Sequence, residues 1–386
     1  AGVDIRFTDI GHLLGSAAIE LWLREGPNER KIVFSGDVGN TDQPIINDPS
    51  SVDDTDYLVM ESTYGSRNHE RHTDTIDVLA SYIERTLERG GNVIIPSFAV
   101  GRTQELLYAI REIKQQKLVK DASFPVYIDS PLAIEATKIF ENCDIVNFDA
   151  ETRMLIEKGV DPLYFENLHL AVTVDESKLI NETPESKVII SASGMCEAGR
   201  IRHHLKHNLW RPQNLILFVG YQAEGSLGRM LIEGVPNVKL FGEDIAVRAE
   251  IRSLKGTSGH ADQAGLINWL GSFKEKPKTV FLNHGNEESI EVLRDELKER
   301  GYAVETPYSG AEYDLISGAM TAYVEKKRVS SDGTQKSRSR KNSVHRDLVL
   351  QAEALLNLAK RCDSRTNKDN AKFAAQIRAL FEKWEK

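Results

Sequence analysis

The stretch "NVIIPSFAVGRTQELLYAIREIKQQ", residues 92–116, decides the fold class. A short apolar run of strand type leads through a turn containing Gly101 into an amphipathic stretch with helical spacing. The same order, strand and then helix, returns at residues 124–143, 187–209 and 214–234. Four apolar strands that each feed a helix predict a parallel sheet with helices on both faces.

The segments on either side of this parallel unit follow a different pattern. Residues 3–65 read as consecutive strands joined by short turns, and "GPNER" at residues 26–30 is typical of a hairpin turn. From about residue 238 the chain returns to a mixture of strands and helices. The sequence therefore predicts an α/β protein in which a parallel α/β domain is inserted between two pieces of another α/β domain.

The end of the chain departs from both patterns. Residues 326–346 are basic, rich in serine and nearly free of apolar residues, which predicts a flexible linker. Beyond the linker, leucines between residues 348 and 358 fall at helical spacing, and so does a second apolar set: Phe373, Ile377, Leu380, Phe381 and Trp384. Two interpretations stay open, since these helices could pack onto the body of the protein or join two chains in a homodimer.

Composition narrows the class of protein. With 386 residues the chain is long enough for two domains, and 40% hydrophobic with 28% charged residues is typical of a soluble globular protein. No apolar run approaches the roughly 20 residues that cross a bilayer, so no membrane partner is predicted. Cys143, Cys196 and Cys362 form no CxxC pair, which favours a reducing compartment and a cytoplasmic location. The formal charge of −9 argues only weakly against nucleic-acid binding, because local patches decide it.

Residues that could bind a metal stand where predicted strands end. His12, Asp37, Glu61 and His284 each follow an apolar strand, and His260 lies in a loop before a helix. Ligands of open α/β sheets collect beyond the carboxyl ends of the strands. We therefore expect these five residues to share one site.

The residue types favour zinc. Neutral imidazole and carboxylate are zinc ligands, and a carboxylate can bridge two ions about 3.5–4 Å apart, as in many sites that cleave phosphodiesters. His12, His284 and Asp37 are nevertheless too few for two zinc ions with about four ligands each. On these residues alone the site is incomplete.

Eight motifs together carry a resemblance that covers about residues 5–315. In chain order they are "GHLLGSAAIEL", "FSGDVG", "ESTYGSRNHE", "PSFAVGRTQELL", "SASGMCEAGRIRHHLKH", "GYQAEGSLGRML", "GTSGHADQ" and "LNHGNEES". The sequence resembles the β-CASP family of metallo-β-lactamase-fold nucleases, in the branch of RNA-processing enzymes. The resemblance implies a partial metallo-β-lactamase αββα sandwich with an inserted parallel β-CASP domain and a helical C-terminal extension. The implied divisions are 1–68 and 241–325 for the two pieces of the metallo-β-lactamase domain, 69–240 for the β-CASP domain, 326–346 for the linker and 347–386 for the extension.

The resemblance also implies a role for each residue of the site. His12 matches a zinc ligand, Asp37 the aspartate that bridges two zinc ions, and His284 a ligand of the second ion. Glu61 matches an acidic residue that partners His260, and His260 is implied to act on the scissile phosphate or as a general acid. Relatives that act on DNA tend to carry valine at the position of His284, so histidine favours RNA.

One departure from the family is large. The ligand cluster His-x-His-x-Asp-His appears nowhere among the ten histidines of the chain. In relatives the cluster precedes the position of His12, so we expect that the chain lacks an N-terminal segment, that this fragment alone is inactive and that the parent holds two zinc ions. The alternative is a true loss, which would leave a non-catalytic scaffold that binds RNA or protein.

Three Gly-rich or Ser-rich turns suggest where phosphates would bind. Residues 97–102, 191–200 and 220–229 each lead into a helix N-terminus and end in an arginine. The predicted substrate-binding residues are Arg102, Ser193, Gly194, Arg200 and Arg229. The alternative is that the glycines only permit tight turns. The remaining histidines before and within the predicted helices are expected at the surface: His69, His72, His203, His204 and His207.

The sequence as a whole therefore predicts a zinc-dependent ribonuclease that hydrolyses phosphodiester bonds with a metal-activated water. The pattern fits endonucleolytic and exonucleolytic cleavage equally. A small-molecule metallohydrolase is a weaker reading, because such an enzyme does not need the inserted domain.

Overall fold

The structure is a computed structural model that describes residues 2–70, 75–254, 258–324, 355, 359 and 367–384. The chain divides into two compact units, Ala1–Val324 and Glu325–Lys386, which we describe separately. The predicted α/β class is confirmed, since the first unit contains two six-stranded sheets flanked by helices.

The first sheet is mixed. In spatial order its strands are β1 (Gly2–Asp9), β2 (Ala17–Glu25), β3 (Asn28–Phe34), β4 (Tyr57–Glu61), β13 (Thr279–Asn283) and β14 (Val304–Glu305). The first three strands are antiparallel, and the others are parallel to their neighbours. Strand β13 arrives from the far end of the chain and pairs with β4, which places Asn283 beside Glu61. This pairing brings two of the predicted ligand-bearing strand ends together.

The second sheet is parallel throughout. In spatial order its strands are β12 (Glu250–Ser253), β9 (Leu215–Phe218), β5 (Val93–Pro96), β8 (Val188–Ser191), β6 (Val126–Ile128) and β7 (Leu168–Leu170). Every residue of β5, β8 and β9 is buried, because helices cover both faces. The predicted parallel sheet is confirmed.

Strand β12 joins the second sheet after the predicted domain boundary at residue 240. It pairs in parallel with β9, so the described chain contributes to this sheet until Ser253. The local pattern of residues 245–255 predicts a strand but contains nothing that selects one sheet over the other.

Helices connect the strands of both sheets, and two small hairpins complete the first unit. The helices of the first unit are α1 (Thr75–Glu88), α2 (Arg102–Gln115), α3 (Pro131–Glu141), α4 (Ala150–Glu157), α5 (Val174–Glu182), α6 (Ile201–Asn208), α7 (Leu227–Ile232), α8 (Gln263–Gly271) and α9 (Glu287–Glu299). The hairpins are β10 (Asn237–Leu240) with β11 (Glu243–Ala246) and β15 (Glu312–Tyr313) with β16 (Met320–Ala322).

Local sequence explains where several helices begin. Ser130 caps α3 ahead of Pro131 at its first position, and Asp262 and Asn286 cap α8 and α9 through their side chains. Helices α4 and α5 and strand β7, which the sequence analysis did not predict, are short elements of 8, 9 and 3 residues.

The second unit is described through one helix, α10 (Asn367–Trp384), with residues 355 and 359 also helical. Helix α10 contains the predicted apolar set, and Phe373 and Ile377 are half-buried. The predicted linker at 326–346 lies outside the described residues.

A buried ion-pair cluster on β2 leads to a first prediction. The Glu20 carboxylate is fully buried and accepts bonds from Arg6 Nε at 2.7 Å, Thr8 Oγ1 at 2.5 Å and Lys31 Nζ at 2.8 Å. Burial alone would raise the pKa of Glu20, but its bonds with Arg6, Lys31 and Thr8 outweigh burial and lower the pKa to about 2.

We therefore expect Glu20→Gln to lower the free energy of unfolding by about 3 kcal/mol at neutral pH. Because the folded pKa is depressed, this stability is complete above the ordinary glutamate value of 4.5 and is lost as the pH falls through about 2. Urea unfolding from pH 7 to pH 2 measures it. The control is Glu25→Gln, an exposed residue of the same strand. A gap between wild type and Glu20→Gln that does not shrink with falling pH would contradict this account.

Candidate metal centre and cleft

His12 lies in the tight loop that joins β1 to β2. The backbone N–H groups of His12 and Leu13 donate to Ser16 Oγ at 3.1 and 3.0 Å. Gly39 passes so close to this loop that a Cβ on it would lie 1.9 Å from the carbonyl oxygen of Gly11. The imidazole Nδ1 donates to the carbonyl of Gly259 at 3.1 Å, and Nε2 lies 3.9 Å from Asp37 Oδ2. A metal-ligating histidine commonly donates its other ring N–H to a backbone carbonyl in this way.

Asp37 follows β3 and stands between two imidazoles. Its Oδ2 faces His12, and its Oδ1 lies 3.3 Å from Nε2 of His284. The two oxygens of one carboxylate therefore point at two different histidines. A carboxylate that bridges two metal ions needs this arrangement.

His284 follows the end of β13 with a left-handed backbone, φ 46°. Non-glycine residues in this region are uncommon and cluster at functional sites. The conformation is held by its own carbonyl, which accepts from the Ser62 N–H at 3.2 Å and from Thr63 Oγ1 at 3.1 Å. The end of β4 thus fixes the end of β13 and turns the imidazole toward Asp37.

His260 and Glu61 form a hydrogen-bonded pair beside these residues. Nδ1 of His260 donates to Glu61 Oε1 and Oε2 at 3.1 and 3.2 Å, and Oε1 also accepts from the Val38 N–H at 2.6 Å. Burial alone would raise the pKa of Glu61, but the bond with His260 leads a set of interactions that lower it. Burial alone would lower the pKa of His260, but the bond with Glu61 and its charge raise it. The pair therefore favours a carboxylate opposite an imidazolium.

The pKa of His12 is shifted in the other direction. Burial is the main cause of its lowered pKa, and the nearby His260 adds to the effect. The two rings lie 4.4 Å apart between centroids. A neutral imidazole, with Nδ1 committed to Gly259, is the form that binds a metal.

The residues present fit a metal ion. His12, Asp37 and His260 offer donor atoms that all lie within 4.8 Å of one another, and His284 contacts Asp37 from the other side. Imidazole and carboxylate together suit zinc. Among the described residues this group has donors enough for one ion but not for two ions with about four ligands each.

His69, expected at the surface, contributes to the site instead. Its Nε2 donates to the carbonyl of His260 at 2.9 Å, and its backbone N–H donates to Asp262 Oδ2 at 3.0 Å. Its ring stands edge-on to Tyr64 at 4.5 Å. The signal for this role was its position in "ESTYGSRNHE", eight residues after Glu61. His72 lies outside the described residues.

A cleft of about 670 Å³ opens in front of His12 and His260. Residues that follow strands of both sheets line it, including Tyr64 and His69 after the first sheet's β4 and Phe98, Arg102, Met195 and Tyr221 after strands of the second. A larger cleft of about 860 Å³ shares Arg102 with it, but its described lining contains no histidine. Of the predicted ligands, His12 lines the smaller cleft, together with His260.

The structure separates the predicted substrate-binding residues into two groups. Arg102 lines the cleft, where it forms an ion pair with Glu105. Ser193 and Gly194 are not among the described residues that line it, but Gly194 lies against Phe98, which does. Ser193 Oγ donates to the carbonyl of Ala198 at 3.2 Å.

Arg200 and Arg229 are not among the described residues that line the cleft. Arg229 pairs with Glu233 at 2.7 Å on the surface of α7. Arg200 donates to Asp129 at 2.7 Å and to the carbonyls of Ala171 and Val172, so its guanidinium links α6 to the ends of β6 and β7. These hydrogen bonds give Arg200 a structural role, because they hold α6 against the sheet.

His204 belongs to the same network, which corrects the expectation of a solvated face on α6. The side chain is fully buried, with Nε2 donating to Asp129 Oδ2 at 2.6 Å and Nδ1 lying 3.0 Å from Asn181 Oδ1. Ser177 Oγ donates to the same Asp129 oxygen at 2.5 Å. Helical periodicity places His204 on one face of α6 but does not show that a buried carboxylate, that of Asp129, packs against this face.

We expect Asp129→Asn to destabilise the protein by about 3 kcal/mol, since an amide would present N–H donors to groups that already donate. Thermal unfolding followed by circular dichroism measures the change. Asp175→Asn is the control, because Asp175 is exposed and pairs with Lys178 on the surface of α5. Equal midpoints for the two variants would contradict a structural role for the network.

No helix in the described part of the chain is long and apolar enough to span a membrane.

Comparisons with known proteins identify two domains in the chain. Residues 103–231 match the sequence model of the Beta-Casp domain, and residues 244–307 match that of the Zn-dependent metallo-hydrolase RNA specificity domain. These matches fall within the predicted ranges 69–240 and 241–325.

Three relatives illustrate the similarity. The chain is 36% identical to ribonuclease TTHA0252 of Thermus thermophilus over 302 residues, which cover 78% of the chain and 67% of that protein. It is 32% identical to an RNase J-like protein of Methanocaldococcus jannaschii over 73% of the chain and 64% of that protein. It is 33% identical to transcription termination factor FttA of Pyrococcus abyssi over 73% of the chain and 44% of that protein.

The chain thus spans between about two fifths and two thirds of the length of these relatives. Two domain matches in the expected order, together with 36% identity over most of the chain, show the family. The chain belongs to the β-CASP family of metallo-β-lactamase-fold nucleases.

Proposed function

We propose that this protein is a zinc-dependent hydrolase of RNA phosphodiester bonds. The observation that carries the proposal is the position of Asp37, whose two oxygens face His12 at 3.9 Å and His284 at 3.3 Å. RNA as the substrate is supported by the matched RNA specificity domain and by relatives named ribonuclease and RNase J-like protein.

Each residue of the centre has a proposed role. His12, Asp37 and His284 would hold zinc, and Asp37 would be the carboxylate shared between two ions. Zinc, when bound, supplies a Lewis acid and a water whose pKa is lowered to about 7. His260, oriented by Glu61 through Nδ1, keeps its second ring nitrogen for the leaving oxygen of the phosphodiester. The structure describes too few donors for both ions, so the bridging role of Asp37 requires further ligands.

Arg102, Ser193 and Gly194 are proposed to contact the phosphate backbone from the second sheet. The bonds of Arg200 and Arg229 direct both side chains elsewhere, and we do not include them in the proposed substrate site. A cytoplasmic location and a homodimer stay predictions.

The test uses the full-length gene product loaded with zinc. A labelled single-stranded RNA should be hydrolysed, and a chelator should stop the reaction until zinc is restored. A DNA strand of the same sequence should be cleaved much more slowly. The competing function is a non-catalytic scaffold, and RNA bound by the zinc-loaded protein without any turnover would favour it.

A further inference from the structure

Three neighbouring strands of the second sheet carry nonpolar side chains just beyond their carboxyl ends. Phe98 follows β5, Met195 follows β8 and Tyr221 follows β9, and these strands are adjacent in the order β9, β5, β8. All three side chains line the cleft that holds His12 and His260. We call Phe98 and Tyr221, the two aromatic residues of this set, the aromatic shelf. Phe98 is 44% exposed and Tyr221 57% exposed, so two aromatic rings face solvent within the cleft.

The backbone beneath the shelf is built to hold Phe98 in place. A Cβ on Gly194 would lie 3.1 Å from the ring atoms Cδ2 and Cε2 of Phe98, and one on Gly220 would lie 3.7 Å from Cε2. A side chain at Gly194 would therefore press against the ring, and one at Gly220 would lie in ordinary van der Waals contact with it.

Hydrogen bonds connect the loops that form this seat. Buried Gln222 donates through Nε2 to the carbonyls of Gly194 at 2.9 Å and Gly220 at 3.2 Å. Thr103 Oγ1 donates to the carbonyl of Phe98 at 2.7 Å. Phe98 is thus held in place before any ligand arrives, which lowers the entropic cost of binding to its ring.

The chemistry of the shelf indicates what it binds. Aromatic faces attract nucleobases, and stacking on them tolerates any base because every base has a π-face. Phosphate needs cations, and Arg102 in this cleft is already paired with Glu105. The shelf lines the same cleft as His12 and His260, so a strand whose phosphate reaches the two histidines would carry its neighbouring bases past the shelf.

We propose that the aromatic shelf stacks unpaired bases of single-stranded RNA next to the scissile phosphate, with Phe98 and Tyr221 as the stacking surfaces. This inference rests on the proposed function, since it takes RNA as the ligand. Stacking on the shelf requires bases that are unpaired at the cleft, because the bases of a duplex are already stacked on one another. The inference also adds that recognition here is independent of base identity.

The test is a binding titration with cleavage suppressed by a chelator. Fluorescein-labelled octauridylate is titrated with the full-length protein, and a matched set of octamers carries one abasic site at each position in turn. We expect Phe98→Leu to weaken binding of the intact octamer by about tenfold. At one abasic position, wild type and Phe98→Leu should bind equally, because the stacking partner is already gone. Tyr221→Leu should behave in the same way at a different position.

Two controls separate stacking from a general loss of structure. Phe98→Tyr keeps a ring and should restore tight binding, and Phe241→Leu removes an exposed ring that stacks on His203, away from the cleft. Phe241→Leu should bind every octamer as wild type does. A fully paired duplex should show no difference between wild type and the shelf variants.

The proposal is overturned if Phe98→Leu combined with Tyr221→Leu binds the intact octamer as tightly as wild type, or if its loss is the same at every abasic position. Loss of self-association in these variants, measured by sedimentation without RNA, would overturn it in favour of a second copy of the chain as the occupant. Failure of the proposed function is distinguishable, because it would abolish hydrolysis while leaving the stacking pattern intact.

Discussion

Replacing Asp37 by asparagine is expected to remove zinc binding and to lower the rate of RNA hydrolysis by about 10³-fold or more. Asp37 is the residue that contacts both His12 and His284, so no other described side chain can join the two imidazoles in its place. An amide keeps the size of the side chain but loses the negative charge and one of the two acceptor oxygens. The measurement is zinc content per chain after dialysis, together with single-turnover cleavage.

The matched control is Asp295→Asn. Asp295 is exposed on α9 and pairs with its neighbour Arg294, so its replacement should change neither zinc content nor cleavage. Circular dichroism should show that both variants are folded. Wild-type zinc content in Asp37→Asn would show that this carboxylate is not a ligand, and the proposed metal centre would then be wrong.

Replacing His260 by glutamine is expected to lower hydrolysis by about 10²–10⁴-fold while zinc content and RNA affinity stay near wild type. The reason is the bond from Nδ1 of His260 to Glu61, which orients the ring and leaves one nitrogen for the substrate. Glutamine can still donate a hydrogen bond to Glu61 but cannot transfer a proton to a leaving oxygen. Glu61→Gln should lower hydrolysis in the same direction, because it removes the charge that favours the imidazolium.

The same geometry also permits a different role, since a histidine held by a carboxylate is a common zinc ligand and His260 lies within 4.8 Å of His12 and Asp37 through its donor atoms. The zinc content of His260→Gln distinguishes a zinc ligand from a proton donor. A loss of zinc in His260→Gln as large as in Asp37→Asn would make His260 a ligand. His169→Gln, an exposed histidine on the edge strand β7, is the control and should leave both measurements unchanged.

Much of this protein could be predicted from local sequence. The strand-and-helix order from residue 92 to residue 234 predicts the parallel sheet, because periodicity of apolar residues is a local property that a strand or helix must satisfy wherever it lies. The end points of β3, β4 and β13 likewise predict where Asp37, Glu61 and His284 stand. The resemblance assigned roles to these residues, and the structure brings His12, Asp37, His260 and His284 into contact.

Other features depend on contacts between segments that are far apart in the chain. Strand β12 pairs with β9 although its own pattern fits either sheet. Arg200 and His204 turn toward Asp129, about 70 residues earlier, and form a structural network instead of a phosphate site or a solvated face. Helical spacing does not predict the contacts of Arg200 and His204, because spacing selects a face of a helix but not the residues that pack against that face.

The sequence by itself thus determined which elements form and which chemically capable residues end them. Only the tertiary structure decided which polar groups are hydrogen-bonded to buried partners and which remain accessible to a substrate. The physical reason is that a buried charge must be paired, and its partner is supplied by a distant segment that local sequence does not identify. The position of Phe98 in the cleft also depends on distant segments, because Gly194 and Gly220 from two other loops lie against its ring.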